Sequence, residues 1–310
     1  MSDHQATVLG GRSVIAVSGP EARDFLQGLV TSDVETLAEG TARNAALLTP
    51  QGKILFEFMI FRAGADQFLL DCPADTVAEL AKRLTFYKLR AKVEIAAQPD
   101  KAVVALWDSD AQPHPSAFAD PRLAALGWRA LLPASEAQTV AGQGGSVHEA
   151  DYHARRIALG VAELGADYAS SAAFPHEANL DQLGGVDFKK GCYVGQEVVS
   201  RMQHRGTARS RFVPVAISGT APDAGPTVEA GTTVEAGGKA VGTMGSSSGD
   251  TGLALLRLDR IGDAVAAGNP ITAGDATLTP HKPDWAGFDW PVEDQQAGDQ
   301  QAGQHSGATS

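Results

Sequence analysis

The sequence predicts an α+β protein of two or three packed units, with antiparallel sheets and a small β-barrel near its C-terminal end. Three observations carry this. Short apolar runs in the first hundred residues are separated by turn chemistry. Segments of helical spacing are set among these runs. From Gly206 onward the texture changes to Gly, Thr and Val in short alternating stretches. A length of 310 residues exceeds the usual size of one domain.

Residues 12–18 read as a strand, and Gly19-Pro20 supplies a turn and a preorganised first helical residue. Residues 21–30 follow as helix, with Phe25, Leu26, Leu29 and Val30 at core-facing spacing. Strands over 44–48, 53–61 and 67–70 are divided by Pro50-Gln51-Gly52 and Gly64-Ala65-Asp66, which implies an antiparallel meander. Pro73 opens a helix to about Tyr87, with Val77, Leu80, Ala81 and Leu84 on one face, and 92–95 returns as strand. Strands over 103–107 and 128–132 flank a Pro- and Ala-rich segment, 112–121. A helix is expected near 147–159, then a long loop, then a short helix near 196–202. Strands over 212–217, 232–235, 240–244 and 253–257 make the barrel. The resulting units are 1–100, 101–205 and 206–283. Residues 284–310, which include the repeat DQQAG, are expected to be a disordered tail.

The net charge of -12 argues against broad attraction to nucleic acid or an anionic membrane. Two cysteines are too few for a disulfide framework, and their settings give no reason to pair them. Cys72, closing the apolar run LLDC, reads as core. The opening residues lack the apolar run of a secretory signal and the Arg-rich character of a transit peptide, and no window is long and apolar enough to span a bilayer. A cytoplasmic protein is expected.

The densest cluster of special residues is Lys189-Lys190-Gly191-Cys192-Tyr193-Val194-Gly195-Gln196-Glu197. Gly191 and Gly195 permit positive φ or close backbone approach, and the paired lysines favour a thiolate at Cys192 if they point inward. Such a thiolate is a nucleophile or a soft-metal ligand; the alternative is a buried structural cysteine at a tight turn. Gln196 and Glu197 either satisfy backbone donors around the turn or hold Cys192 or a ligand. Arg201, His204, Arg205, Arg209 and Arg211 form a basic cluster in an acidic chain. It is either a solvated face or a site for carboxylates.

Residues 190–197, with Arg201 following, closely resemble the KGCYxGQE signature of the YgfZ family of folate-binding-type iron–sulfur assembly proteins. FLQGLVTSDV (25–34), TPQGKILFEF (49–58), YKLRAKVEI (87–95) and FPHEANL (174–180) resemble that family's other blocks, in order. The resemblance implies the three-domain ring of glycine-cleavage T-protein and its relatives, with a central folate-type pocket. It implies tetrahydrofolate or a related folate as ligand, with Arg12, Arg156, Glu177, Tyr193 and Arg201 as binding residues; Glu177, in the long loop, reads equally as a cap or loop brace. Thiol chemistry falls to Cys192, assisted by Lys190, Gln196 and Glu197. Clusters normally take about four thiolate ligands, so if Cys192 touches iron it is a transient ligand and the others come from a second subunit, a partner or a small thiol; the alternative is a covalent redox role, as a mixed disulfide or sulfenic acid. Iron–sulfur client enzymes or assembly-machinery proteins are the implied partners; nucleic acid and membrane are not.

Two departures separate the chain from T-protein. Where T-protein resembles GGILDD, this chain reads Gly52-Lys53-Ile54-Leu55-Phe56-Glu57, with Phe56 at one carboxylate position and the longer Glu57 at the other. Where T-protein resembles RLEAG, it reads Arg156-Ile157-Ala158-Leu159-Gly160. Ala158 cannot hydrogen-bond a pterin amine, and loss of an acid–base group costs orders of magnitude in rate. Aminomethyl transfer is therefore disfavoured. The rival readings are a folate-dependent one-carbon transferase and a folate-sensing scaffold in which Cys192 is only structural.

Overall fold

The computed structural model describes residues 4–145, 147–206, 208–219 and 228–291. A short strand β1 (Gln5–Val8) leads into β2 (Arg12–Ser18), helix α1 (Ala22–Gln27) and strands β3 (Ala42–Leu48), β4 (Ile54–Gly64) and β5 (Gln67–Pro73). Helix α2 (Val77–Lys88) and β6 (Glu94–Ala97) follow. Next come β7 (Lys101–Trp107), β8 (Ala117–Ala119), β9 (Trp128–Pro133), α3 (Ala134–Ala141) and α4 (Glu149–Ala158). After a long irregular stretch comes α5 (Gln196–Arg205). The remainder is β10 (Ser210–Ser218), β11 (Thr233–Ala236), β12 (Lys239–Ser248), β13 (Thr251–Arg257), α6 (Leu258–Ala266), β14 (Ile271–Ala273) and β15 (Ala276–Pro280).

Alternation along the strands builds a layered core. In β2, Ile15 and Val17 join α1 and α2 in one apolar cluster, whereas Val14 and Ala16 pack on Val103 and Ala105 of β7. A strand buried on both faces needs apolar residues at consecutive positions, which is why β2 reads Val-Ile-Ala-Val. The five-stranded sheet β3-β4-β5-β2-β6 thus lies between a helical layer and the four-stranded sheet β1-β7-β9-β8. The far face of that second sheet, with Val104 and Leu106, is covered by Ala137 and Val140 of α3. Strands β10-β13-β12-β11-β14-β15 close into the expected barrel. Cys72 is buried in the first cluster, as read from sequence, and burial pushes its thiol up to about 12.

Two boundaries differ from the sequence expectation. β1 pairs antiparallel with β7, Gln5 opposite Trp107, so the first few residues belong to the second sheet and the unit 1–100 is not continuous. The segment 284–291 is packed rather than a free tail. Trp285 Nε1 donates to Leu159 O at 2.7 Å, Ala286 is buried, and Phe288 lies under the Arg211 guanidinium at 4.7 Å. Aromatic residues Trp285, Phe288 and Trp290 give this stretch an anchoring capacity that its polar neighbours obscured. The rest of the expected tail, 292–310, lies outside the described residues.

Charged side chains are buried where the two sheets, α4 and the barrel meet. Asp71 on β5 takes Arg12 at 2.6 Å on one oxygen and Arg129 at 2.6 Å on the other. Arg129 and Arg122 share Asp120, at 3.2 and 2.9 Å. Arg122 reaches Glu163 at 2.7 Å, and Arg156 pairs with Asp167 at 2.7 Å and Glu163 at 3.5 Å. The Tyr152 hydroxyl accepts from both Arg122 and Arg129 at 2.7 Å. Four guanidinium groups therefore face four carboxylates, and the cluster is neutral as a whole. Burial opposes each charge, but the surrounding arginines hold Glu163 well below the usual carboxylate range. Arg156 also donates to Ser246 Oγ on β12 at 3.0 Å, which ties the barrel in.

Removing one member leaves its partners buried and unpaired. Arg129→Met is expected to lower unfolding free energy by roughly 3–5 kcal/mol, measured as a shift in the urea midpoint.

Candidate functional site

The residues 187–197 form a loop clamped from behind. Asp187 Oδ1 accepts the Lys189 and Lys190 amides at 2.7 and 3.1 Å, which turns the chain back. Lys190 Nζ then donates to Gln27 O, Val30 O and Ser32 O at 2.7, 2.6 and 2.7 Å. These carbonyls belong to the last residue of α1 and the turn after it, where orphan acceptors favour a cation. All three ammonium donors are thereby engaged with backbone. Lys190, expected to act on the thiol, is instead a tether for the loop. Desolvation lowers it to about 8, and its Nζ lies 5.4 Å over the buried Tyr193 ring.

A second anchor is a contact between two turns. Gly52 and Gly195 have φ of 81° and 80°. A Cβ on Gly195 would lie 2.4 Å from Thr49 O and 3.2 Å from Gly52 Cα, and a Cβ on Gly52 would lie 2.9 Å from Val198 Cβ. Only glycine satisfies both the left-handed backbone and the approach. This contact joins the two sequence blocks TPQGK and KGCYVGQE. Gly191 differs: its φ is ordinary and a Cβ there would meet nothing within 4 Å.

Between these anchors Cys192 is exposed. Gln196 Oε1 accepts the Tyr193 amide at 3.2 Å, so this amide side chain braces the turn directly after the thiol. Val194 packs on the cluster shared by the first sheet, α1 and α2. Glu197 and Arg201 are exposed on α5. A cavity of about 580 Å³ adjoins the loop, lined by Ser32, Asp33, Arg43, Asp187, Phe188 and Lys189 among others. Asp187, which makes the turn, was not singled out in the sequence; its distance of three residues from Lys190 was the available signal.

The five residues expected to hold a folate stand in different settings. Arg12 and Arg156 belong to the neutral internal cluster, with their charges already met. Glu177 accepts the Phe174 amide at 2.8 Å as a loop brace, and burial raises its carboxyl. Tyr193 is buried beneath Lys190, and Arg201 faces solvent. Buried polar atoms lacking a partner among the described residues are on Gln5, Asn44, His176 and Arg211, none of them in this set. These five residues therefore do not fit the group as the resemblance implied. Of the basic cluster, Arg201, His204, Arg205 and Arg209 are exposed, whereas Arg211 is buried and bidentate to Asp181 at 2.8 and 2.9 Å. Glu57 is likewise committed inside, bonded to the Tyr168 hydroxyl and the Leu164 amide, and burial raises its carboxyl. No group of three or more His, Cys, Asp or Glu among the described residues is placed to hold a metal ion.

The fold and its closed barrel define a class. The GCVT N-terminal domain model matches residues 12–107, and the CAF17 C-terminal beta-barrel domain model matches residues 209–288. The glycine cleavage system aminomethyltransferase T from Bartonella henselae superposes with a TM-score of 0.69 over 92% of this chain and 87% of that one. At 17% identity that likeness shows the fold alone. The iron-sulfur cluster assembly factor IBA57 of Mus musculus is 33% identical, and that of Homo sapiens 32%. Each comparison covers 92% of this chain and 85% of the relative. The homologue from Mycosarcoma maydis is 33% identical with the same coverage. The chain belongs to the IBA57 family of iron–sulfur cluster assembly factors. These relatives are named as mitochondrial proteins, which overturns the cytoplasmic placement read from the N-terminal sequence.

Lys190→Met strands three carbonyls. It is expected to lower stability by about 1–3 kcal/mol, while the rate at which Cys192 reacts with a water-soluble disulfide reagent changes by less than about threefold. A far larger drop in thiol reactivity would return Lys190 to the role of thiolate activator.

Proposed function

We propose that this chain assists assembly or repair of iron–sulfur clusters in client proteins by lending Cys192 as a single, transient thiolate ligand. The observation that carries this reading is an exposed cysteine on a loop immobilised at both ends, in a member of the IBA57 family. The cluster is cargo. One cysteine provides one of about four ligands, so the others come from an assembly-machinery or client protein. Binding iron, the Cys192 thiol releases its proton to solvent; on delivery, a client thiolate takes its place on the metal. The exchange involves no net oxidation or reduction.

In this reading Gly195, Gln196 and Lys190 hold the loop, Lys189 adds local positive charge, and Glu197 and Arg201 form the flank that faces the partner. The string 190–197 also supports a finer kinship with YgfZ-type factors. The GcvT-like fold is compatible with a folate-type ligand, but no step of the proposed chemistry runs through one. A one-carbon transferase is not favoured: Phe56 and Ala158 offer no acid, and Glu57 is held by Tyr168 and a backbone amide.

In cells lacking the native gene, Cys192→Ser is expected to leave client iron–sulfur enzymes near the deletion level. Its stability should stay within about 0.5 kcal/mol of wild type, because the side chain is exposed. Full restoration of client activity by the variant would remove the thiol from the mechanism.

A further inference from the structure

The C-terminal end of α2 and the turn after it present groups that neither the core nor the thiol chemistry uses. Phe86 is 71% exposed and Leu89 is 87% exposed. Around them stand Lys82, Arg83, Lys88, Arg90 and Lys92, and no acid occurs between Glu79 and Glu94. In a chain of net charge -12 this is a local reversal of sign. None of the five cations forms an ion pair among the described residues. The neighbouring acid, Glu21, accepts the Lys92 backbone amide at 3.1 Å.

The backbone holds Leu89 outward. Its φ of 47° and ψ of -105° are those of the first central position of a type II′ turn, where glycine is the usual residue. Ala91 N donating to Lys88 O at 2.8 Å closes the turn, and the following Val93 is buried. A strained residue whose side chain packs on nothing has no reason in the core, and strain of this kind gathers at functional positions. The opposite face of α2 places Leu80 and Leu84 in the same apolar cluster that receives Val194, two residues beyond Cys192. The apolar cluster beneath the patch thus also receives one residue of the thiol-bearing loop, while the neighbouring Tyr193 packs with Ala46, Leu48 and Ile54 on the other face of the sheet.

We propose that Phe86 and Leu89, ringed by these five cations, are the docking surface for an acidic protein that brings or receives the cluster handled at Cys192. This rests on the function proposed above and names the kind of partner it requires. Two apolar anchors within a ring of one charge suit a protein carrying a small socket rimmed by carboxylates. A bilayer is the poorer fit. The chain's overall negative charge opposes an anionic membrane, and α2 has already committed its apolar face to the core.

The test places a photo-crosslinking phenylalanine analogue at position 86 of the full chain in cells and identifies adducts by mass spectrometry. Expected is an acidic protein that carries or receives an iron–sulfur cluster, absent when the probe sits at exposed Lys239 on the barrel. Leu89→Gly removes the side chain and relieves the turn, so it should raise Tm by a few degrees. It should also cut adduct yield at least about fivefold. Replacing Lys82, Arg83 and Arg90 together with Glu should abolish the adduct. An adduct only to lipid or to a second copy, no dependence on probe position, or an unchanged yield in Leu89→Gly overturns the proposal. Cys192→Ser should keep the adduct, so failure of docking and failure of the thiol chemistry are read separately.

Discussion

The neutral cluster of four arginines and four carboxylates is the constraint around which the molecule is organised. It joins β2, β5, β9 and α4, together with the loops bearing Asp120, Arg122, Glu163 and Asp167, and extends to the barrel through Ser246. Buried ion pairs give little net stability over apolar packing, because desolvation offsets most of the attraction. Their consequence here is directional: each guanidinium fixes the position of two or more elements, so the sheets and barrel meet in one register. The same balance leaves no free cation in the cluster for an incoming carboxylate. The overall scaffold matches an aminomethyltransferase, while the polar groups at its middle serve architecture.

In the function proposed above, the chemistry falls to the exposed loop at Cys192. Lys190 fastens the loop to carbonyls of the last residue of α1 and the turn after it, and the apposed turns at Gly52 and Gly195 fasten it to the first sheet. A ligand held on such a mount loses little freedom on meeting a metal, which supports the transient ligation proposed for Cys192. Cys72 shows the opposite design, its thiol raised by burial and directed to Ser13 O.

Much of the fold was legible because its central strands are short runs of consecutive apolar residues, buried on both faces and bounded by turn residues. β2 spans the expected residues 12–18, and β3, β4, β5, α2 and most of the barrel strands lie within a few residues of the expected positions. β1, β8, β14 and β15 are too short to stand out, and α6 hides behind a glycine and two early charges. The ion cluster could not be read at all. Nothing local distinguishes the Arg of ADPRL or GWRAL from a surface arginine, since burial of these side chains follows from pairing across sheets. For the site, the string around Cys192 was plain, but the work of its residues was not. The carbonyls that hold Lys190 come from residues 27–32, and Gly195 needs its glycine because Thr49 and Gly52 press against it.

The central claim is that the Cys192 sulfur contacts cluster iron during transfer. Anaerobic alkylation of the full chain, with and without a [2Fe–2S]-loaded carrier protein, measures this directly, with buried Cys72 as an unreactive reference in the same molecule. Metal-bound thiolate is shielded, so labelling of Cys192 should slow at least about tenfold with the loaded carrier and recover with its apo form. Equal labelling rates in all three conditions would contradict the account.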